Sequence, residues 1–202
     1  MEQIASRAWR TPYLFAQNYI SDLGAVRCAS AAPTGLTREV SICSPLHAWM
    51  NLSFVLQGML ICTGAILLRR LMTTCPWSAP ARWFLVLSGV GLVVVGLAPE
   101  DVHSSIHFSG AAAHLFLGDL GVGLLGFALR RHASHVSKAL ATSVGGLGLL
   151  GLLATLMVAT HRFVGIGAGA MERISAYPIP ISLSMLGAAF LWRSGSKVIH
   201  KA

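Results

Sequence analysis

Residues 83–119 read WFLVLSGVGLVVVGLAPEDVHSSIHFSGAAAHLFLGD. An apolar run, Trp83–Ala98, gives way to a short polar stretch and then to a second apolar run that starts near His107. Both runs approach the length needed to cross roughly 30 Å of hydrocarbon. Pro99–Asp119 carries Glu100, Asp101, His103, His107, His114 and Asp119, which are three of the seven acidic residues and three of the eight histidines. Ionisable groups within or beside a span are costly to keep, and they mark function more often than packing. This stretch therefore sets both the fold class and the place to look for chemistry.

The rest of the chain repeats the pattern. Of its 202 residues, 54% are hydrophobic and only 11% are charged, where a soluble domain carries roughly 25% charged residues. Apolar runs predict five spans, near 45–68, 83–98, 107–129, 140–160 and 177–192. Lipid offers the backbone no hydrogen-bond partners, so each span is expected to be a helix. The alternation of a membrane barrel is absent from the sequence. The expected fold is an all-α membrane protein, a bundle of about five transmembrane helices over residues 45–202, preceded by an N-terminal interfacial segment over residues 1–44. In that segment Tyr13, Leu14, Ile20 and Leu23 are placed to line the apolar side of a helix lying in the interface. No apolar core ahead of a small-residue cleavage site marks a signal peptide.

The net charge of +8 does not point to nucleic acid, because basic residues sit at the ends of apolar runs without interleaved aromatics. Membrane lipids are the expected partners, with a second copy or a membrane subunit as further candidates. Arg69, Arg70 and Arg82 follow the first span, Arg130, Arg131 and Lys138 follow the third, and Arg193, Lys197 and Lys201 follow the fifth. By the positive-inside rule these ends and the C-terminus face the cytoplasm, most simply in the cell (inner) membrane. The N-terminal region and the loops after spans two and four then face outward, against the pull of Arg7, Arg10, Arg27 and Arg38. Cys28 and Cys43, fourteen residues between them, are candidates for a disulfide on that outer side, and closing such a loop contributes about 3 kcal/mol. Cys62 falls in the first span and Cys75 in a cytoplasmic loop, neither with an evident partner.

Four sets of short motifs add a resemblance. Ile20-Ser-Asp-Leu-Gly-Ala25, Cys43-Ser-Pro-Leu-His-Ala-Trp-Met-Asn51 followed by Ser53-Phe-Val-Leu-Gln-Gly58, Gly96-Leu-Ala-Pro-Glu-Asp101 and Met171-Glu-Arg-Ile-Ser-Ala-Tyr-Pro178 occur in an order and spacing similar to the DUF998 family of polytopic membrane proteins. The resemblance implies a six-helix bundle. The family's first helix would precede Ile20, where apolar residues are too few to build it, so residues 1–44 are expected to hold a remnant of that helix. The family name brings no activity with it.

Chemistry has to come from the residues. Six of the seven acidic residues, Glu2, Asp22, Glu39, Glu100, Asp101 and Glu172, fall on the expected outer side, and Asp119 falls within the membrane. On a helix starting near Asp101, His103, His107, Gly110, His114 and Gly118 share one stripe by i+3 and i+4 spacing, with Asp119 off it. His47 and Asn51, also i+4, are expected to face that stripe across a pocket that also takes in Arg173. Three readings follow. One is an outer-leaflet enzyme acting on a lipid or isoprenoid substrate, with Asp22, Glu100, Asp101 and Glu172 as acids or bases and His103 and His107 as relays. Another is a metal site on His103 and His107, with Glu100 or Asp22 adding a carboxylate; bis-His haem would need histidines at matched depth, such as His47 and His107. The third is a non-catalytic scaffold or accessory protein in which the same residues cap helices and tie loops together. No cofactor is clearly implied. For Asp119 the candidate partners are Asn51, Thr155 or water.

Overall fold

The computed structural model describes residues 1–10, 12–31, 40–68, 76–132 and 136–199, without the side chains of 29–31, 40, 41 and 193–199. Arg38, Glu39, Arg69, Arg70, Cys75 and Lys201 lie outside the described residues. Helix α1 covers Glu2–Arg7 and is followed by a 3-10 turn, Ser21–Gly24. A small antiparallel hairpin pairs β1 (Ala29–Ala31) with β2 (Val40–Ile42), and a disulfide joins Cys28 to Cys43 just outside its strands. The remainder is helical: α2 (His47–Leu67), α3 (Ser78–Leu97), α4 (Ser104–Ala112), a π-helical turn (Ala113–Leu117), α5 (Gly118–His132), α6 (Lys138–Ala159), α7 (Ala168–Ala176) and α8 (Pro178–Ile199).

Among the described residues, five helical stretches are long and apolar enough to cross a membrane: His47–Leu67, Ser78–Leu97, Ser104–His132, Lys138–Ala159 and Ala168–Trp192. The protein is an integral membrane protein. Four of the five start earlier than their apolar runs suggest, two of them by the most. α3 begins at Ser78, because Pro80 lies in the first turn, where its missing N–H removes no helical bond. The fifth span starts at Ala168, because the polar Glu172–Arg173 pair lies on helix α7, which leads into α8 at Pro178.

Small residues set the order of the helices. α2 packs along α3, α3 along α4 and α5, and α5 along α6. At the α2–α3 crossing a Cβ on Gly58 would lie 2.5 Å from the Gly89 carbonyl oxygen, and one on Gly89 would lie 2.6 Å from that of Gly58. Only glycine lets the two backbones come so close, the arrangement that drives helix association where lipid removes the hydrophobic incentive. The core between the helices holds Leu85, Leu125, Leu129, Val122, Val144, Ile179 and Leu186, all at most 2% exposed.

The N-terminal segment differs from the interfacial helix that its apolar residues suggest. It is helical only over Glu2–Arg7 and Ser21–Gly24. Leu23 and Ile20 are buried against the bundle, whereas Leu14 is exposed. Polar anchors, together with the buried side chains of Ala5, Trp9, Ile20 and Leu23, hold the segment, so it closes one end of the bundle as a plug.

Candidate active site at the plugged end

Three carboxylates from distant parts of the chain meet where the plug enters the bundle. The 3-10 turn buries Asp22, whose Oδ2 accepts the Tyr19 amide (2.9 Å) and Asn18 Nδ2 (3.2 Å). Glu100, just beyond the end of α3, hydrogen-bonds Ser21 and the Asp22 carboxyl. Glu172 of α7 accepts the backbone N–H of Ile20 and feels the Arg173 charge as well as those of Glu100 and Asp22. Two carboxyl groups in mutual contact hold a proton between them, since like charges at that range disfavour double ionisation. Burial above all, and then the Glu100 charge, push Asp22 up to about 7. Glu100 is also pushed above the usual carboxylate range, chiefly by burial.

Stability therefore depends on pH. Asp22 has an ordinary value of about 3.9 when the chain is unfolded, and folding raises it, so between these limits the folded protein keeps a proton that the unfolded chain releases. The stabilisation is complete below the ordinary carboxylate range and is lost as pH rises toward neutrality. Thermal unfolding in detergent is expected to move to lower temperature across this range, and Asp22→Asn to flatten the dependence. A wild-type stability that rises from pH 4 to 7, or an unaltered slope in the variant, would contradict this origin.

Two neighbouring charged residues are engaged in holding the plug. Arg173 of α7 pairs with Glu2 (2.7 Å). It also donates to the carbonyls of Phe15 (2.8 Å), Asn18 (2.9 Å) and Gly169 (2.7 Å) and to the Tyr13 hydroxyl (2.7 Å). Glu2 further accepts the Tyr177 hydroxyl. Among the described residues Arg173–Glu2 is the salt bridge; Asp22, Glu100 and Glu172 have none. Asp101 accepts the backbone N–H groups of Val26 (3.1 Å) and Arg27 (2.6 Å) and so fastens the start of the hairpin to the end of α3. Arg27 meets Asp101 through its amide, and the sequence offered no sign of that pairing.

Behind Glu172 lies a cavity of about 290 Å³ between the plug, α2, α3, the α4–π segment and α7. Met50, Phe54, Leu92, Val95, Ala111 and Leu115 give it apolar walls, while Glu172, His107, His114, Gln57, Ser53 and Ser21 bring polar groups to it. His107 is 3% exposed, and its Nδ1 lies 2.8 Å from the Ala98 carbonyl. His114 sits in the π-helical turn, a distortion found often at functional sites, and its Nδ1 meets Ser88 Oγ at 3.0 Å. Asp22 and Glu100 do not line the cavity and are joined to it through Ser21 and Glu172.

Other candidates lie apart from this cavity. His47 meets the Ser44 carbonyl (2.9 Å) in a local contact at the start of α2, Asn51 donates to the Gly24 carbonyl (2.9 Å) and so joins α2 to the plug, and neither lines the cavity. His103 is exposed ahead of α4, while His107 is buried, because the helix starts only at Ser104. Among the described residues no group of three or more His, Cys, Asp or Glu is arranged to hold a metal ion. Asp119 is fully buried between α5 and α6, where Thr155 Oγ1 donates to it at 2.8 Å and its Oδ1 has no partner. Gly151 makes that fit, since a Cβ there would strike the carboxyl group. Thr155→Val leaves both oxygens unmet and is expected to cost about 1–3 kcal/mol in detergent unfolding; no loss would mean that Asp119 finds its partner elsewhere.

The structure adds residues that sequence reasoning left out: Tyr13, Asn18, Gln57, Ser88 and Tyr177. Their roles depend on backbone carbonyls and on helices far apart in sequence, which leave no periodic signal. Tyr177 and Gln57 carried a hint, since they lie in the Met171–Pro178 and Ser53–Gly58 motifs, and Tyr13 was read only as part of an apolar face.

The fold and this site define a polytopic helical membrane protein with a buried acidic cluster at one end of its bundle. The chain belongs to the DUF998 family, described as "protein of unknown function", whose model matches residues 3–189. The resemblance implies six helices; among the described residues five are long enough to span, and the plug precedes them. No curated protein and no solved structure matches the chain.

Proposed function

We propose that the protein is an integral membrane enzyme that performs acid/base chemistry on a lipid or isoprenoid-type amphiphile. One observation carries the reading: carboxylates from the plug, the α3–α4 turn and α7 cluster without a salt bridge among the described residues, and one of them, Glu172, lines a cavity with apolar walls. Such a cavity suits an amphiphile, its tail against Phe54 and Leu92 and its headgroup against Glu172. Asp22 and Glu100, sharing a proton behind Glu172, supply a reservoir for proton transfer near neutral pH. His107 and His114 extend the polar surface inward.

The site faces the outer leaflet in this reading, with the C-terminus in the cytoplasm of a cell (inner) membrane. Arg82, Arg130, Arg131 and Lys138 at the opposite end support that orientation, as does the Cys28–Cys43 disulfide at the plugged end, since disulfides persist in oxidising compartments. Lipid extracts of cells with and without the protein test the reading. A lipid class should change with the wild type and not with Glu100→Gln at equal membrane abundance. An identical lipid profile in all three would sink the enzyme. The scaffold reading draws on Arg173 and Asp101, whose contacts are wholly structural; it gains if Glu100→Gln fails to accumulate.

A further inference from the structure

The hydrogen-bonding sense of the cavity narrows what it accepts. Ser88 has a single hydroxyl proton and donates it to the His114 carbonyl at 2.8 Å. At the His114 ring, 3.0 Å away, Ser88 Oγ is therefore the acceptor and Nδ1–H the donor. A neutral imidazole protonated on Nδ1 carries its lone pair on Nε2. His114 is 5% exposed and lines the cavity, and among the described residues Nε2 has no partner. The His107 Nδ1–H is likewise engaged by the Ala98 carbonyl. Beside these stands Glu172, an acceptor when ionised, with no guanidinium, ammonium or N-terminal amine within ion-pair distance among the described residues. The nearest guanidinium, Arg173, is turned to Glu2, Tyr13 and three carbonyls. The cavity thus offers acceptors at Glu172 and His114, and no lysine or arginine side chain lines it, while Met1 contributes to its wall.

We infer that the cavity receives an amphiphile whose headgroup is a hydrogen-bond-donating cation, an alkylammonium, and that it rejects phosphate headgroups. The ammonium donates to Glu172 and to His114 Nε2, and its tail lies against the apolar wall at Ala111. A phosphate there would set its acceptor oxygens and charge against the Glu172 carboxyl and the open lone pair of His114, and Arg173, whose charge reaches Glu172, already spends its donors on Glu2, Tyr13 and three carbonyls; like charges in a desolvated site are disfavoured. The inference rests on the proposed amphiphile site and names its ligand chemistry.

The test is calorimetric titration of the purified full chain, in a non-ionic detergent, with dodecylammonium and with dodecyl phosphate, two probes with the same tail. Dodecylammonium should bind and dodecyl phosphate should not. Glu172→Gln, which keeps an oxygen for the Ile20 amide, should weaken ammonium binding about 10- to 100-fold. Ala111→Leu, which changes no charge, should weaken it by filling the cavity. Phosphate binding as tight as ammonium binding would overturn the inference, as would ammonium binding that ignores both variants, the behaviour of a probe held by micelle or surface. The two readings fail separately. Ammonium binding that depends on Glu172 in a protein that changes no lipid removes the enzyme and leaves the ligand class; a Glu172-dependent lipid change with preferred phosphate binding does the reverse.

Discussion

Arg173→Met is expected to be the most destabilising single change in the protein, costing about 3–5 kcal/mol and detaching residues 1–24 from the bundle. The guanidinium meets the Glu2 carboxylate, the Tyr13 hydroxyl and the carbonyls of Phe15, Asn18 and Gly169. Methionine fills a similar volume and answers none of them, so Glu2 stays as an unpaired charge and three carbonyls lose their donor. Limited proteolysis should cut the variant near Tyr13–Ile20 while the wild type resists. Equal resistance would show that Asn51, at the Gly24 carbonyl, and Ser44, whose hydroxyl donates to the Leu23 carbonyl (2.6 Å), hold the plug without Arg173. Arg173→Lys should rescue little, because a single ammonium cannot span donors arranged in a planar fork.

Glu172→Gln is expected to have the largest effect on activity, a loss of about 10²- to 10⁴-fold, the range for removing a positioned acid or base. Its effect on folding should be small by comparison. Glutamine retains an oxygen for the Ile20 amide, and it removes one of three clustered carboxylates, relieving repulsion with Asp22 and Glu100. Lipid turnover lost at wild-type abundance and thermal stability is therefore the expected pattern. Turnover retained within a few-fold would exclude Glu172 as the acid or base and return the cluster to a structural role.

Much of the bundle was legible in the sequence because a bilayer leaves few options: long apolar runs have to be helices, and their number and order follow from counting. The His107–His114 stripe was legible for the same reason, since i+3 and i+4 spacing places residues on one face whatever they touch. What that face meets was not legible. α2 packs on α3 through Gly58 and Gly89, so His114 meets Ser88 of α3, while Asn51 turns to the plug and His47 to the nearby Ser44 carbonyl. The π-helical turn at Ala113–Leu117 adds a residue to the helix and shifts the register, so adjacent Gly118 and Asp119 are both buried, one against Ser88 and Ile179 and the other against Thr155. The plug was least legible. Its hydrophobic residues suggest an amphipathic helix, but Arg173 gathers backbone carbonyls of Phe15 and Asn18, and a carbonyl carries no side-chain signature. The meeting of Asp22, Glu100 and Glu172 was suggested by their shared side of the membrane; their contacts depend on that plug.

The most direct measurement is mass spectrometry of lipids extracted from the purified protein. If the cavity behind Glu172 is the seat of the chemistry, a discrete amphiphile copurifies with the wild type, and the same species is depleted from Ala111→Leu, whose side chain occupies its space. Identical lipid content in the two proteins, matching the surrounding membrane, would contradict the account: the cavity would then hold nothing, and the acidic cluster would serve only to close the end of the bundle.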